Sequence, residues 1–213
     1  MDIKIKTIAI IVAHPDDETL WAGGTILSNP GRQYYIVSLC RKNDADRAPK
    51  FQKVLGVLGA QGMMGDMDDG PEQMPLPEND VQNAILQLLP EKHFDLIITH
   101  SIYGEYTRHR RHEEIGRAVI NLWHSGKINT SKLWAFAYED GNKAYLPIAD
   151  EDASIFYPLP HDVWEKKFDI ITKIYGFNKD GWEAQTAPKE EAFWQFENAN
   201  QAHNWLLSEN IKS

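Results

Sequence analysis

The sequence predicts an α/β fold: a single domain with a mostly parallel sheet, helices on both faces, and a C-terminal helical segment. Three observations predict it. Short runs dominated by β-branched and other apolar residues alternate with segments of helical periodicity over residues 1–140, the pattern of a parallel sheet covered by helices. The chain of 213 residues is long enough for one such domain with a substantial core. No internal repeat or low-complexity linker divides it.

The elements follow in order. Residues 3–13 alternate and then run apolar, so they form a buried first strand that stops at His14-Pro15. Asp16 or Asp17 is placed to cap a helix over 18–28, closed by Asn29-Pro30-Gly31. Gln33 to Cys40 reads as a second strand, and residues 44–59 as a helix with Val54, Leu55 and Leu58 on one face. Residues 63–70 read as a short strand or loop, followed by a loop rich in proline and acidic residues. Asn79 caps a helix that runs through Leu89. Phe94 to His100 is another buried strand, and a loop leads from it into a helix over 108–124. Lys132 to Tyr138 is a further strand. This makes residues 1–140 a Rossmann-like sheet core and residues 141–213 a helical and loop elaboration of the same domain. In that tail a helix is expected over 162–175, ended by Gly176. A second is expected over 188–208, opened by Pro188 with Glu190 and Glu191 in its first turn. The tail is expected to pack on the sheet and shape one wall of a cleft.

Composition narrows the function. With 42% hydrophobic and 25% charged residues the chain has the make-up of an ordinary soluble globular protein. A net charge of -9 and a pI near 5.3 argue against a nucleic-acid binder, which would carry a basic stripe. Cys40 is the lone cysteine, which excludes an internal disulfide and fits a cytoplasmic location. The apolar run of the first strand is short for a membrane span and lacks a small-residue cleavage site. No membrane span is expected, and a homo-oligomer is compatible with all of this.

The chemistry lies in two clusters. Ala13-His14-Pro15-Asp16-Asp17-Glu18 sits directly after a buried strand and before a helix. In open α/β sheets ligands bind beyond the carboxyl ends of strands. His14 and Asp17 are three apart across a turn stiffened by Pro15, and imidazole with carboxylate suits Zn²⁺ or another first-row divalent ion. Asp16 is then a second carboxylate near the metal, free to accept a proton. An isolated His-x-x-Asp recurs by chance and more often caps a helix; its placement here, and a second cluster, weigh against that. His109 and His112 follow the strand over 94–100 and share the face of Ile115, Val119 and Leu122, the inward apolar face of the next helix. Arg108, Arg110 and Arg111 are expected outward or at a rim. Two histidines and one carboxylate leave an open tetrahedral position, the composition of a catalytic zinc site.

Together, AHPDDE after the first strand and His-x-x-His after a later one resemble the PIG-L/LmbE family of metal-dependent N-deacetylases. The resemblance spans residues 5–140 and includes LIITH before the second cluster and Gly-Glu-Tyr at 104–106. It implies His14, Asp17 and His112 as metal ligands, Asp16 as general base and His109 as the histidine that stabilises the oxyanion. The implied metal is Zn²⁺, and the donor set also suits Fe²⁺. The implied reaction is hydrolysis of an N-acetyl, or other N-acyl, amide on a small amino-sugar substrate. Arg47 on the second helix, and Tyr103 and Tyr106 in the loop leading to His109, are the candidate substrate contacts. Trp21, Trp182 and Trp194 are further aromatics that a sugar can stack on. Glu18 is expected to brace the site or cap the helix. The chain departs from the family at Arg110-Arg111, where many members carry Pro-Asp, and at Lys50, where many carry a carboxylate three residues after the arginine. An esterase or other hydrolase on the same site, or a non-catalytic metal-binding module, are the alternative readings.

Overall fold

The computed structural model describes residues 4–107 and 109–209. In chain order its elements are β1 (Thr7–Val12), α1 (Asp17–Leu27), β2 (Gln33–Ser38), α2 (Arg47–Leu58), β3 (Gln61–Met64), α3 (Glu78–Leu88), β4 (His93–Phe94), β5 (Leu96–Thr99) and α4 (Arg110–His124). There follow β6 (Asn129–Thr130), β7 (Leu133–Phe136), β8 (Tyr138–Glu139), β9 (Ile148–Ala149), β10 (Ile155–Pro158) and α5 (His161–Asp169). A π-helical turn (Ile170–Ile174), α6 (Trp182–Thr186), β11 (Glu190–Phe196) and α7 (Ala199–Glu209) complete the chain.

One seven-stranded sheet organises these elements, in the order β10-β11-β7-β5-β1-β2-β3. The five strands from β7 to β3 are parallel, and β11 and β10 close one edge antiparallel. Successive residues of β1 point to opposite faces, as the pleat requires. Ile8, Ile10 and Val12 pack with Trp21, Phe51 and Ile171 on one side, and Ala9 and Ile11 with Val81, Ile115 and Val119 on the other. Both faces are therefore buried, which explains why β1 reads as a nearly continuous apolar run. The chain steps outward from β1 to β2 and β3, then returns to place β5 on the other side of β1. The strand order reverses between β1 and β5, and a ligand crevice belongs outside the carboxyl ends of strands at such a point. His14 leaves β1 there, and His100 leaves β5. Helix α4 closes on the same place through Gly116, whose added Cβ would stand 2.6 Å from the His100 carbonyl oxygen.

The expected α/β class and mostly parallel sheet are what the structure has. The tail differs from expectation. Residues 188–208 are not one helix: Glu190–Phe196 is strand β11 in the interior of the sheet, and α7 begins only at Ala199. Glu190 and Glu191 resemble helix-opening acids, but Glu191 is fully buried and pairs with the equally buried Lys167 at 2.9 Å. The aromatic run that follows Ala192 suits a pleated, covered surface. Strand β10 was not expected either; its accessibility alternates, as on an edge, and Pro158 ends it where a missing N–H does no harm. The helix expected over 162–175 is α5 followed by the π-helical turn, and α3 starts at Glu78 with Pro77, rather than Asn79, in the capping position. Among the described residues no helix is long and apolar enough to cross a membrane.

Candidate metal centre

The turn after β1 builds the first half of the site. Asp16 has φ 138°, a backbone conformation that a side-chain-bearing residue adopts only under strain, at a cost of about 1–3 kcal/mol. Its surroundings hold it there. The Asp16 N–H donates to Glu18 Oε2 at 3.1 Å, and its carbonyl accepts the N–H groups of Thr19 and Leu20 at 2.9 and 2.8 Å. Glu18 is itself fixed by the hydroxyls of Thr19 (2.6 Å) and Tyr175 (2.8 Å). Glu18 thus braces the turn. Neither Asp16 nor Asp17 caps α1 through its side chain. Asp17 Oδ2 turns back to accept the His14 N–H at 2.8 Å, which leaves both side chains aimed at one point.

Three donor atoms converge there. His14 Nδ1 lies 3.2 Å from Asp17 Oδ2, His112 Nε2 lies 3.3 Å from the same oxygen, and the two nitrogens are 3.4 Å apart. Ligands at ~2.0–2.1 Å around a tetrahedral ion stand about 3.3–3.4 Å from one another, so this triangle has the dimensions of one face of a zinc site. Each donor is oriented from behind, as metal-ligating residues usually are. Trp21 Nε1 donates to the other Asp17 oxygen at 3.1 Å. His112 Nδ1 donates to Glu105 Oε2 at 2.5 Å, which directs Nε2 into the triangle. Glu105 also accepts from His100 Nδ1 (2.8 Å) and the Ser101 N–H (2.9 Å). His100 Nε2 accepts the Ala13 N–H at 2.9 Å, so its lone pair is already engaged although the ring stacks on His112 at 3.8 Å.

Electrostatics favour a cation at the triangle. Burial opposes a charge on His14, but Asp17 and Asp69 outweigh it and lift the imidazole to about 10. Burial likewise opposes ionisation of Asp17, yet His112 and His14 hold its carboxyl well below the usual range. Asp16 behaves in the opposite way. Burial and the adjacent Asp17 charge push it well above the carboxylate range, and Arg47, donating to Asp16 Oδ2 at 3.0 Å, offsets this only in part.

The triangle opens into a cavity of about 210 Å³ walled by Asp16, Arg47, Tyr106, His109, Asp69 and Trp182, among others. His109, the residue before α4, packs edge-on against His14 at 4.6 Å and Tyr106 at 5.3 Å. Burial, with His112 and His14 close by, lowers its imidazole to about 2, so the ring is neutral here. The loop that carries it is pinned by Thr107, whose N–H and hydroxyl both donate to Asp140. Trp182 of α6 stacks edge-on on Tyr106 at 4.7 Å, so the C-terminal tail does supply a cavity wall. Arg47 also stacks over Phe177 at 4.3 Å.

The structure therefore gathers His14, Asp16, Asp17, Arg47, Tyr106, His109 and His112 in one place. Tyr103 is a correction: it lies on the surface against Trp205 at 5.8 Å, outside this cavity. Trp21 is wholly buried and braces Asp17, and Trp194 is half-buried against the core outside this cavity, so neither lines it as a sugar platform. Lys50 pairs with Asp46 at 2.6 Å instead of lining the cavity. Arg111, expected at the rim, is completely buried; Arg110 is exposed, and Arg108 lies outside the described residues. Sequence reasoning gave no role to His100, Glu105 or Asp69. The first two fall within the LIITH and Gly-Glu-Tyr stretches, but a lone carboxylate in a loop carries no spacing that marks it.

Comparison with known proteins places the chain by family and by fold. The chain is 24% identical over 183 residues to an uncharacterized protein of Acanthamoeba polyphaga mimivirus, covering 79% of this chain and 75% of the other. Its fold is similar to that of an N,N'-diacetylchitobiose deacetylase from Pyrococcus horikoshii, with a TM-score of 0.68 and 16% identity over 91% of this chain and 85% of that one. It is similar also to a deacetylase of an antimicrobial pseudoaglycone, with a TM-score of 0.61 and 15% identity over 92% and 99%. Residues 9–123, which hold both clusters and the strands that position them, match the PIG-L family, GlcNAc-PI de-N-acetylase, and this chain belongs to that family.

Proposed function

We propose that the protein is a zinc-dependent N-deacetylase that hydrolyses the N-acetyl amide of a small amino-sugar compound. The observation that carries this reading is the triangle of His14 Nδ1, Asp17 Oδ2 and His112 Nε2, with edges of 3.2–3.4 Å, facing a cavity beside the Asp16 carboxyl that Arg47 holds. Family membership and the deacetylase neighbours support the reaction class. The acetylated sugar named for the Pyrococcus enzyme supports the substrate class. The single cysteine and the acidic charge fit a cytoplasmic enzyme acting on a small molecule.

His14, Asp17 and His112 would hold the ion, which supplies a Lewis acid that lowers the pKa of a water toward ~7 and polarises the acyl carbonyl. The protein's residues perform the remaining work. Asp16 takes the proton of the attacking water. Lining the same cavity, it is then placed to return that proton to the departing amine. Arg47 keeps the Asp16 carboxyl aimed into the cavity. His109 presents a neutral ring to the cavity and donates to the developing oxyanion; one such donor is typically worth ~10²–10³ in rate. Tyr106 and Trp182 wall the cavity against bulk water and offer apolar faces to the sugar.

The test is acetate release from N-acetylglucosamine and N,N'-diacetylchitobiose by zinc-loaded and metal-stripped protein. Metal-dependent release is expected. Asp16→Asn is expected to keep its zinc and lose ~10²–10⁴ in turnover, the usual range for a general base, while His14→Ala loses zinc as well. Near-normal turnover in Asp16→Asn would refute the role of that residue. Absence of bound zinc in the native chain would refute the centre.

A further inference from the structure

Arg111 stands between the two site histidines, and its side chain is fully buried. A buried guanidinium must find partners for its donors, and those partners reveal what it holds. Nε donates to the Asp68 carbonyl at 2.5 Å, and Nη2 donates to the Met74 carbonyl at 2.9 Å and approaches the Asp68 carboxylate at 3.4 Å. Nη1 donates to Glu114 one turn along α4, at 2.5 Å. Arg111 therefore clamps both ends of the 68–74 loop onto α4, one residue before His112.

Asp69 follows the clamped peptide. Its Oδ1 lies 3.1 Å from His14 Nε2 and accepts from Gln73 Nε2 at 2.9 Å. Its Oδ2 accepts from Arg41 through Nε at 3.0 Å and Nη2 at 2.6 Å. His14 uses Nδ1 toward Asp17 and His112, so Nε2–H is the bond left to set the ring's angle. Glu105 does the same for His112.

We propose that Asp69, held in place by Arg111, is a positioning residue of the metal centre: it fixes the His14 ring with Nδ1 toward the ion and thereby sets zinc affinity. The inference rests on the zinc reading above and goes beyond it, since it makes the Arg110-Arg111 departure from the family a means of anchoring one ligand from a distance. Partners that orient a ligating histidine are typically worth 10–100-fold in metal affinity.

The experiment is a zinc titration of the metal-stripped full chain against a chromophoric chelator, with the melting temperature of the metal-free protein measured in parallel. Asp69→Asn, nearly isosteric, is expected to bind zinc ~10–100-fold more weakly. Arg111→Gln is expected to weaken zinc in the same direction, and the double variant to be no weaker than Asp69→Asn alone, because Arg111 acts through Asp69. A purely structural role would lower the melting temperature and leave zinc affinity in place. Zinc affinity of Asp69→Asn within twofold of native overturns the proposal, as does full additivity in the double variant. Should Asp69→Asn not fold, unchanged affinity in Arg111→Gln overturns it. A native chain that binds no zinc overturns the metal centre and this inference together, an outcome distinct from an unchanged Asp69→Asn.

Discussion

Replacing Glu105 by Gln removes one charge from the interior while preserving shape, and the structure says where the damage falls. Oε2 accepts from both His112 Nδ1 and His100 Nδ1, and Oε1 accepts the Ser101 N–H. A glutamine has one carbonyl oxygen and one NH₂ group to offer these three donors. Turning NH₂ toward the histidines would orphan two N–H groups. Neither ring can switch tautomer to relieve this: His100 Nε2 already accepts the Ala13 N–H, and His112 Nε2 faces the metal triangle. The amide must therefore put its NH₂ against the Ser101 N–H, so that donor loses its acceptor and meets a second donor. The orphaned Ser101 N–H alone costs about 1–3 kcal/mol of metal-free stability. Against a total of roughly 5–15 kcal/mol the variant still folds. The second effect is on the metal. Burial opposes the Glu105 charge, but His100 and His112 hold the carboxyl at about 2, so it is ionised and strengthens His112 as a donor. Its neutral replacement is expected to weaken zinc ~10–100-fold, which is about 1.4–2.8 kcal/mol. Urea unfolding of the metal-free protein and chelator competition read the two effects separately. Stability within ~0.5 kcal/mol of native, a shift no larger than that of an ordinary surface substitution, together with unchanged zinc affinity, would refute the reasoning.

Two further predictions concern the scaffold. Lys167→Met leaves the Glu191 charge buried without its lysine partner, with the Gly24 and Thr25 N–H groups and the Thr25 and Tyr157 hydroxyls still donating to it, so a loss of about 3 kcal/mol, the lower end for a broken buried pair, is expected by urea unfolding. Asp95 accepts the Thr7 and Lys6 N–H groups and the Thr7 hydroxyl at the start of β1, and these bonds hold its pKa below the usual value. A depressed carboxylate stabilises the fold above its unfolded pKa of ~3.9 and loses that contribution as pH falls through the folded value. The melting temperature of Asp95→Asn should lie below native at neutral pH, with the gap closing under acid conditions; a gap independent of pH would contradict this.

Much of the fold was legible because burial leaves a periodic trace. The β1 run and the inward stripe of α4 announce a two-sided sheet and one of its helices. The same reasoning failed at residues 188–196. There Pro188 and two glutamates imitate a helix start, whereas Glu191 is in fact the partner of a buried lysine on α5. Arg111 misled for a related reason: arginine is rarely buried, and nothing local announces that two carbonyls 37 and 43 residues away will receive it. Tyr103 and Tyr106 sit three apart in one loop, and only the packing of that loop, pinned by Thr107 to Asp140, decides which of them meets the cavity.

By itself the sequence determined the donor types and the place they occupy. His14, Asp16 and Asp17 at the end of a buried strand, and His109 and His112 at the start of an amphipathic helix, are local patterns set by chain geometry over a few residues. Only the tertiary structure decided that Trp21, Glu105 and Asp69 contact Asp17, His112 and His14, that His100 is engaged elsewhere, and that Trp182 walls the cavity. The reason is physical. Periodicity is a property of neighbouring residues, but a hydrogen bond to a ligand's far atom depends on where the fold brings distant segments, and sequence separation carries no record of that.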